Sequence, residues 1–408
     1  MAQLKGMPYL KKKLKEKKTR VDLRYEYYEQ KKLTFDFGIS TPPDLRLWMT
    51  TLGWCAKAVD SLADRLQFYK FDYDNYGLNE IFAMNNRDTL FDSAILSALI
   101  SSCCFIYIYT DDKGTPKMQV IDGSNATGVI DPVTGLLTEG YAVLERDQSG
   151  NPTLEAYFIT GATEYFPKDG NPYTVGNDAP APLLVPIINR PDAKRPFGHS
   201  RISRACMSIQ GSAVRTIKRS EIAAEFYSYP QKYITGLSED AELADNWKAS
   251  ISKMLTFTKD ADGESPKLGQ FTQQSMQPFT DQLRMFASAF AGETGLTLDD
   301  LGFVSDNPTS ADAIKASHEN LRLATRKAQR DFGNGFRNAG YLAACLRDKM
   351  DYNRNEIVKE LPVWEPIFEP DISQIGAIAD ATYKIQQSLP GYLTAETFRE
   401  ITGLRGNL

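Results

Sequence analysis

The period of hydrophobic positions changes several times along this chain, and each change marks an element. Leu45, Trp48, Leu52, Cys55, Val59, Leu62 and Leu66 recur at spacings of three and four, which predicts a helix over residues 42–66 with one buried face. Ser40 or Thr41 offers a cap, and Pro42 suits the first turn. Helical stretches are expected near 78–85 and 88–101. Residues 93–110 carry no charge, which brings them to the lower limit of a membrane span. Their character changes midway, however. Residues 93–101 fit the end of a buried helix, and 104–110 are aromatic and β-branched, as in a buried strand. A helix running into a strand is the reading adopted.

From 104 to about 188 the pattern becomes short β-like runs between turn signals, such as Asp112-Lys113-Gly114, Asp122-Gly123 and Ser149-Gly150-Asn151-Pro152. Residues 141–145 and 154–160 read as an antiparallel hairpin. Residues 178–186 contain Pro180, Pro182 and Pro186 and are expected to run extended along a surface. A helix of about thirty residues follows over 198–229, with Ile202, Cys206, Ile209, Ala213, Ile217, Ala224 and Tyr227 near one face; Pro230 ends it. Residues 231–279 read as a compact unit with strands near 232–236, 255–259 and 267–271 and a helix near 240–254. After a helix at 280–294 and a loop at 295–309, the longest helix spans about 311–350, roughly 60 Å. Ser310 is its expected cap. Phe332-Gly333-Asn334-Gly335-Phe336 predicts a kink or break within it. An extended piece at 361–370 and short helices at 372–387 and 394–402 complete an α+β chain without internal repeats.

Composition narrows the class. At about 150 residues per domain, 408 residues suggest two to three domains. With 42% hydrophobic and 24% charged residues, the chain is neither wholly disordered nor fibrous. Five cysteines, an odd number, point to reduced thiols in a cytosolic compartment. The first twenty residues have no apolar signal core, so secretion is not expected. They hold eight basic residues (Lys5, Lys11, Lys12, Lys13, Lys15, Lys17, Lys18, Arg20) against Glu16, a net +7. The remaining 388 residues hold 39 basic and 51 acidic, a net −12. The tip reads either as a solvated, frayed helix start or as a contact for nucleic acid or another polyanion. Charge alone does not choose between these.

Sites for common chemistry are missing. There is no GxxxxGK[ST] phosphate loop, GxGxxG turn or HExxH pair. Only His199 and His318 are present, and both read as surface or packing residues. Cys103 and Cys104 read as core. Asp299, Asp300, Asp306 and Asp312 could in principle bind Mg²⁺, as the carboxylate clusters of two-metal nucleases and polymerases do, but no distant carboxylate pattern completes a site. Gly295, Gly302, Asn307, Pro308 and Thr309 interrupt them and favour an acidic connector instead. No catalytic residue, metal or cofactor is assigned.

Several segments, in order, carry a resemblance. They are Val59-Asp60-Ser61-Leu62-Ala63-Asp64-Arg65-Leu66, the run 79–85, Pro186 to Arg190 followed by Gly198-His199-Ser200-Arg201-Ile202, and the run 230–236. Leu268-Gly269-Gln270-Phe271, Thr294-Gly295-Leu296 and Ser310-Ala311-Asp312-Ala313-Ile314 complete the series. Over roughly residues 25–400 the chain resembles the portal, or head-to-tail connector, proteins of tailed bacteriophages of the siphophage type.

The resemblance implies a portal-type α+β subunit. It would have a basic N-terminal segment (1–24), a first wing part of helices and antiparallel strands (25–197), a stem helix (198–229) and a small α/β clip (230–279). A stem or tunnel helix (280–294), a tunnel loop (295–310), a long wing helix with a closing strand (311–370) and a short crown-like helical tail (371–408) would follow. It also implies a homo-oligomeric ring of twelve copies at one capsid vertex of the virion, assembled in the host cytoplasm. Double-stranded DNA would be packaged and later ejected through it. Terminase large subunit, head-completion or adaptor protein, and major capsid and scaffolding proteins would be its partners, with no membrane and no enzymatic activity. Twelve touching helices, each about 10 Å wide, leave a bore near ~28 Å, which passes a duplex of about 20 Å. On this reading Asp299, Asp300, Asp306, Asn307, Thr309 and Ser310 line the channel. Arg201, Arg204, Arg215, Lys218 and Arg219 on the stem helix serve subunit packing and sparse DNA contact. The alternatives are a head–tail adaptor without a channel and a metal-dependent nuclease.

Overall fold

The computed structural model describes residues 4–32, 49–228, 232–235, 267–270, 275–303, 315–368, 372–394, 397, 398 and 402. The chain divides into two compact units. The first comprises residues 1–32, 52–210 and 287–408, and the second 33–51 and 211–286.

In the first unit, α1 (Met7–Tyr28) is followed by α2 (Trp54–Ala63), β1 (Phe68–Phe71), α3 (Leu78–Ala83) and α4 (Arg87–Ser101). Next come β2 (Cys103–Thr110), β3 (Pro116–Ile121), β4 (Ala126–Ile130), β5 (Leu137–Arg146), β6 (Pro152–Ile159), β7 (Ala162–Pro167), β8 (Tyr173–Gly176) and β9 (Leu184–Ile188). The helix α5 (Arg204–Ser228) leads to β10 (Lys232–Thr235) and β11 (Lys267–Gln270) of the second unit, and α6 (Gln277–Thr294) leads back. The first unit closes with α7 (Glu319–Asp348), α8 (Arg354–Ile357), β12 (Pro362–Trp364) and α9 (Ile372–Ser388).

The turn signals of residues 112–172 join antiparallel neighbours, except that Asp122-Gly123 divides β3 from β4, which lie in different sheets. One sheet has the order β4-β5-β6-β7-β8, a second β3-β2-β9, and a third joins β1 to β12. The expected hairpin is β5 with β6, in register Tyr141 to Tyr157. The helix-to-strand handover also holds: α4 ends at Ser101 and β2 begins at Cys103, with Ser102 between them at φ 93°. Both Cys103 and Cys104 are buried free thiols, and burial holds the Cys104 thiol well above its usual range. An aromatic chain ties β1, α3, α4, α7 and β12 together. Phe68 lies 4.3 Å from Phe91 and 5.3 Å from Trp364, and Phe91 lies 4.5 Å from Phe336.

Five expectations are corrected. First, the basic tip is not a frayed end but the first half of α1, docked on the five-stranded sheet. Leu10 and Leu14 pack on Tyr141, Val143 and Tyr157. Lys11 pairs with Glu155 at 2.5 Å, Lys13 Nζ donates to the Gly128 carbonyl at 2.8 Å, and Lys17 Nζ donates to that of Ala126 at 3.3 Å. The long aliphatic stems let the ammonium heads reach these acceptors over a buried surface. Burial, then Lys17 and Lys5, pull the Lys13 ammonium below its ordinary pKa. The helix start is fixed from the sheet by Glu139, which is 1% exposed and accepts from the Lys5 and Gly6 N–H groups at 2.9 and 3.0 Å and from the Tyr157 hydroxyl at 2.9 Å.

Second, the helix expected over 42–66 is α2 alone among the described residues, with Leu45 and Trp48 outside them. Its face is as expected, since Cys55, Val59, Leu62 and Leu66 are buried. Gly53 precedes it, and the free Cys55 N–H is met by Gln210 Oε1 at 2.7 Å. Third, the proline-rich run is extended but not on a surface. Leu184, Val185 and Ile187 are fully buried, and β9 pairs with β2. As an edge strand, β9 tolerates the missing N–H of Pro186. Fourth, residues 198–203 are irregular. Ser203 Oγ accepts from the Cys206 N–H at 3.1 Å and caps α5, which starts six residues later than expected.

Fifth, α7 runs unbroken through residues 332–336. Its glycines are points of close approach: a Cβ on Gly333 would lie 2.5 Å from Pro362 Cγ, and one on Gly335 would lie 2.7 Å from Ile187 Cδ1. In the second unit, the strands expected near 232–236 and 267–271 are β10 and β11, and they pair antiparallel with each other. Thr216 Oγ1 on α5 donates to Gln282 Oε1 on α6 at 2.9 Å. The helix expected near 240–254, the strand near 255–259 and most of the helix at 394–402 lie outside the described residues.

Candidate functional site

The turn from α6 into α7 is the part of the first unit where the expected channel residues fall. Thr294 ends α6, with its Oγ1 donating to the Phe290 carbonyl at 2.7 Å. Gly295 follows at φ +70°, the left-handed conformation that closes a helix, and its N–H reaches the Ala291 carbonyl at 2.8 Å. Arg201 secures this helix end from the segment before α5. Its Nη2 donates to the Thr294 carbonyl and its Nε donates to that of Ala58 at 3.2 Å. Burial lowers the Arg201 guanidinium to about 10, so it remains charged at neutral pH and neutralises the carbonyl end of α6. Nearby, Ser203 Oγ donates to Glu293 Oε1 at 2.7 Å.

Beyond Gly295 the chain makes one 3-10 turn, Asp299–Leu301, with Leu296 and Leu301 buried beneath it. Asp300 Oδ2 accepts from the N–H and the hydroxyl of Thr297, both at 2.9 Å, and the Asp300 N–H donates to Thr297 Oγ1 at 3.2 Å. This is a reciprocal cap. His318 Nε2, at the start of α7, lies 3.3 Å from the same carboxylate oxygen. Partial burial would raise the Asp300 carboxyl, but the Thr297 bonds and His318 more than offset it and hold it below its usual range. Asp300 therefore pins the turn to the root of the long helix, whereas Asp299 is exposed. The signal was present in the sequence as the spacing from Thr297 to Asp300, a capping-box pattern that the carboxylate reading passed over. His318, read as a surface or packing residue, closes the same cluster. Asp306, Asn307, Thr309 and Ser310 lie outside the described residues.

The basic residues expected on the stem helix separate by environment. Arg201 precedes the helix and is bonded within the subunit. Arg204 is the first helical residue and is exposed. Arg215 Nη2 donates to Ser212 Oγ at 2.9 Å, Lys218 is buried, and Arg219 is half-buried. His199 is held in the preceding loop, with Nε2 2.5 Å from Asp192 Oδ2. That bond, with the backbone N–H groups of Arg195 and Lys194, depresses the Asp192 carboxyl to about 2.

Among the described residues no group of three or more His, Cys, Asp or Glu is placed to hold a metal ion. No helix among them is long and apolar enough to cross a membrane.

Comparison with known proteins gives the class first: the relatives are structural proteins of phage particles. The profile of the family described as "Phage portal protein, SPP1 Gp6-like" matches residues 8–390, and the chain belongs to this family. The portal protein of Mycobacterium phage D29 is 25% identical over 405 residues, covering 92% of this chain and 81% of that protein. The portal protein of Mycobacterium phage L5 is 24% identical over 397 residues, covering 91% and 80%. Among solved structures, a chain from the virion of a native gene transfer agent particle aligns with a TM-score of 0.43 at 14% identity, covering 87% of this chain and 90% of that one. A chain from the neck of the native particle, computed with C12 symmetry, aligns with a TM-score of 0.42 at 15% identity and the same coverage.

Proposed function

We propose that the chain is the repeating subunit of a closed portal ring at one capsid vertex of a virion, assembled in the host cytoplasm. Double-stranded DNA enters through its axial channel during packaging and leaves through it at ejection. The observation that carries this reading is the family match over residues 8–390. Terminase large subunit docks on the ring during packaging, and head-completion and tail proteins replace it. Major capsid and scaffolding proteins surround it.

The segment 295–310 lines the channel. Asp299 and Asp306 face passing phosphate, and Asp300 contributes by fixing the turn to His318. A repulsive lining suits transit, because each phosphate captured by a cation releases counterions and tightens the hold on DNA. Arg204 is the stem residue free to make sparse DNA contact, whereas Arg201 belongs to subunit integrity. Electron microscopy of the purified protein tests the proposal. The expected image is a closed ring of about twelve copies with an opening wider than the ~20 Å of a duplex. A lone globule, or a ring without an axial opening, would overturn it.

A further inference from the structure

The helix α1 carries a cationic stripe that the fold brings against a second cationic segment. Lys13, Lys17, Arg20 and Arg24 follow spacings of four, three and four, which places them within about 60° of one another around the helix. The stripe faces the segment that leads into α5. Lys13 and Lys17 lie over the Phe197 ring, 4.8 and 5.5 Å from its centre. Arg24 Nη1 donates to the Ser101 carbonyl at 2.9 Å, at the end of α4, and the same end receives the Arg201 N–H, on the Leu99 carbonyl at 2.8 Å. Arg195 from this segment and Arg204 from the first turn of α5 complete the group. Burial, then the positive charges of Arg20, Arg195 and Arg204, lowers the Arg24 guanidinium, so the four guanidiniums lie within one another's field.

The group is poor in countercharge. Arg20, Arg195 and Arg204 are exposed and form no salt bridge among the described residues. Arg195 is steadied by His199, whose Nδ1 lies 3.3 Å from its Nη1. Of the acids beside the group, Asp192 is held by His199 Nε2 at 2.5 Å and by the N–H groups of Lys194 and Arg195 at 2.8 and 2.7 Å. Glu293 accepts from Ser203 Oγ, and Glu16 stands at the flank of the stripe. Six cations that meet so little negative charge repel one another, and an anion seated on them offsets that cost.

We propose that this face binds the phosphate backbone of double-stranded DNA, without regard to base sequence. Guanidiniums match phosphate oxygens with paired N–H donors. From residue 13 to residue 24 the stripe is about 17 Å long, and a duplex presents about ten charges over that length. The chief rival is a second copy of this chain, whose densest acidic run, Glu239 to Asp245, offers four carboxylates. Charge density favours the duplex. The inference goes beyond the sparse contact ascribed to Arg204 and does not need the ring. A face of this kind retains DNA at rest, whereas the acidic turn nearby lets it pass. Arg201 joins the two, because it sits three residues before Arg204 and bonds to the Thr294 carbonyl.

The test uses the full-length protein and a short fluorescent duplex of mixed sequence, with anisotropy read across a salt series. Arg20→Gln, Arg195→Gln and Arg204→Gln should each weaken binding several-fold and lower the slope of log affinity against log salt by about 0.9. The triple variant should lose at least about a hundredfold. Lys15→Gln removes the same charge from the opposite side of α1 and should leave the affinity unchanged. Duplexes of unrelated sequence should bind alike, and copy number, measured by light scattering, should not change in any variant. No duplex binding by the wild type, or binding that Lys15→Gln weakens as much as Arg20→Gln does, would overturn the proposal. So would a synthetic peptide of residues 237–247 that binds as tightly as the duplex, or a changed copy number in the triple variant, since either gives the face to a neighbouring subunit. A wild-type protein that binds the duplex through these arginines but forms no ring would remove the ring reading and leave the site standing. A ring whose duplex binding ignores them would do the reverse.

Discussion

Two buried carboxylates show how much single residues decide in this subunit. Glu139 gathers three donors, two of them backbone N–H groups at the entry to α1. Glu139→Ala orphans all three and should cost at least about 3 kcal/mol, since bonds to a charged group contribute about 1.5–3 each when not compensated. The visible result should be faster tryptic cleavage at Lys13 and Lys17, which are docked in the native protein. Glu360 is the opposite case. It is fully buried, its Oε1 accepts from the Asn75 N–H at 2.9 Å, and its Oε2 has no hydrogen-bond partner among the described residues. Burial, and beyond it Asp74 and Asp72, outweigh the Asn75 bond and raise its pKa. The folded chain therefore holds this proton more tightly than the unfolded chain does. Its contribution is full below about pH 4.3 and is lost as the pH rises through the elevated value. Glu360→Gln should remove that loss, giving a melting temperature that declines less than wild type between about pH 4 and 8. Neither role was legible from the sequence, because a glutamate in a strand or a short turn looks like a solvated one until its neighbours are known.

At the scale of elements, the sequence was most legible where the local pattern and the final neighbours agree. The switch from helix period to β-branched run at residues 93–110, the hairpin of β5 and β6, and the faces of α2 were all visible. It misled where a tertiary neighbour reassigns a residue. Gly333 and Gly335 look like a break, yet they are the positions at which α7 meets Pro362 and β9. Gly333→Ala would gain up to about 1 kcal/mol of helix propensity but must displace a proline ring. We expect a net loss of about 1–2 kcal/mol, read as a lower urea midpoint at unchanged slope. Gly292→Ala is the internal control, since a Cβ there meets nothing within 4 Å. That variant should be up to about 1 kcal/mol more stable than wild type. The prolines of residues 178–186 misled for a related reason: an edge position spares the donor, while the helices packed on the sheet decide burial.

Over the whole molecule, charge divides the tasks. Three of the eight basic residues of the tip, Lys11, Lys13 and Lys17, bond to the sheet beneath them, while Lys5, Lys12, Lys15 and Arg20 are exposed and the remaining 388 residues carry a net −12. If segment 295–310 lines a channel, Asp299→Lys with Asp306→Lys should slow or stall DNA translocation in a packaging assay, by capturing phosphate. An unchanged rate would remove the lining role. Asp300→Asn belongs to another category. It should loosen the turn at Thr297 and His318, seen as faster hydrogen exchange across residues 295–303, whatever its effect on transport. Of the six expected lining residues, spacing alone exposed the acidic group, but not the division of labour between Asp299 and Asp300, which depends on a histidine eighteen positions further on.

The clasp between Glu139 and the start of α1 also sets an order of events during synthesis. Leu10 and Leu14 need Tyr141, Val143 and Tyr157 to rest on. At roughly 5–20 residues per second, the ribosome takes on the order of ten seconds to deliver them. Through that interval a nascent lysine-rich segment waits without its landing surface, and it becomes a fixture of the subunit only after the strands behind it have been made.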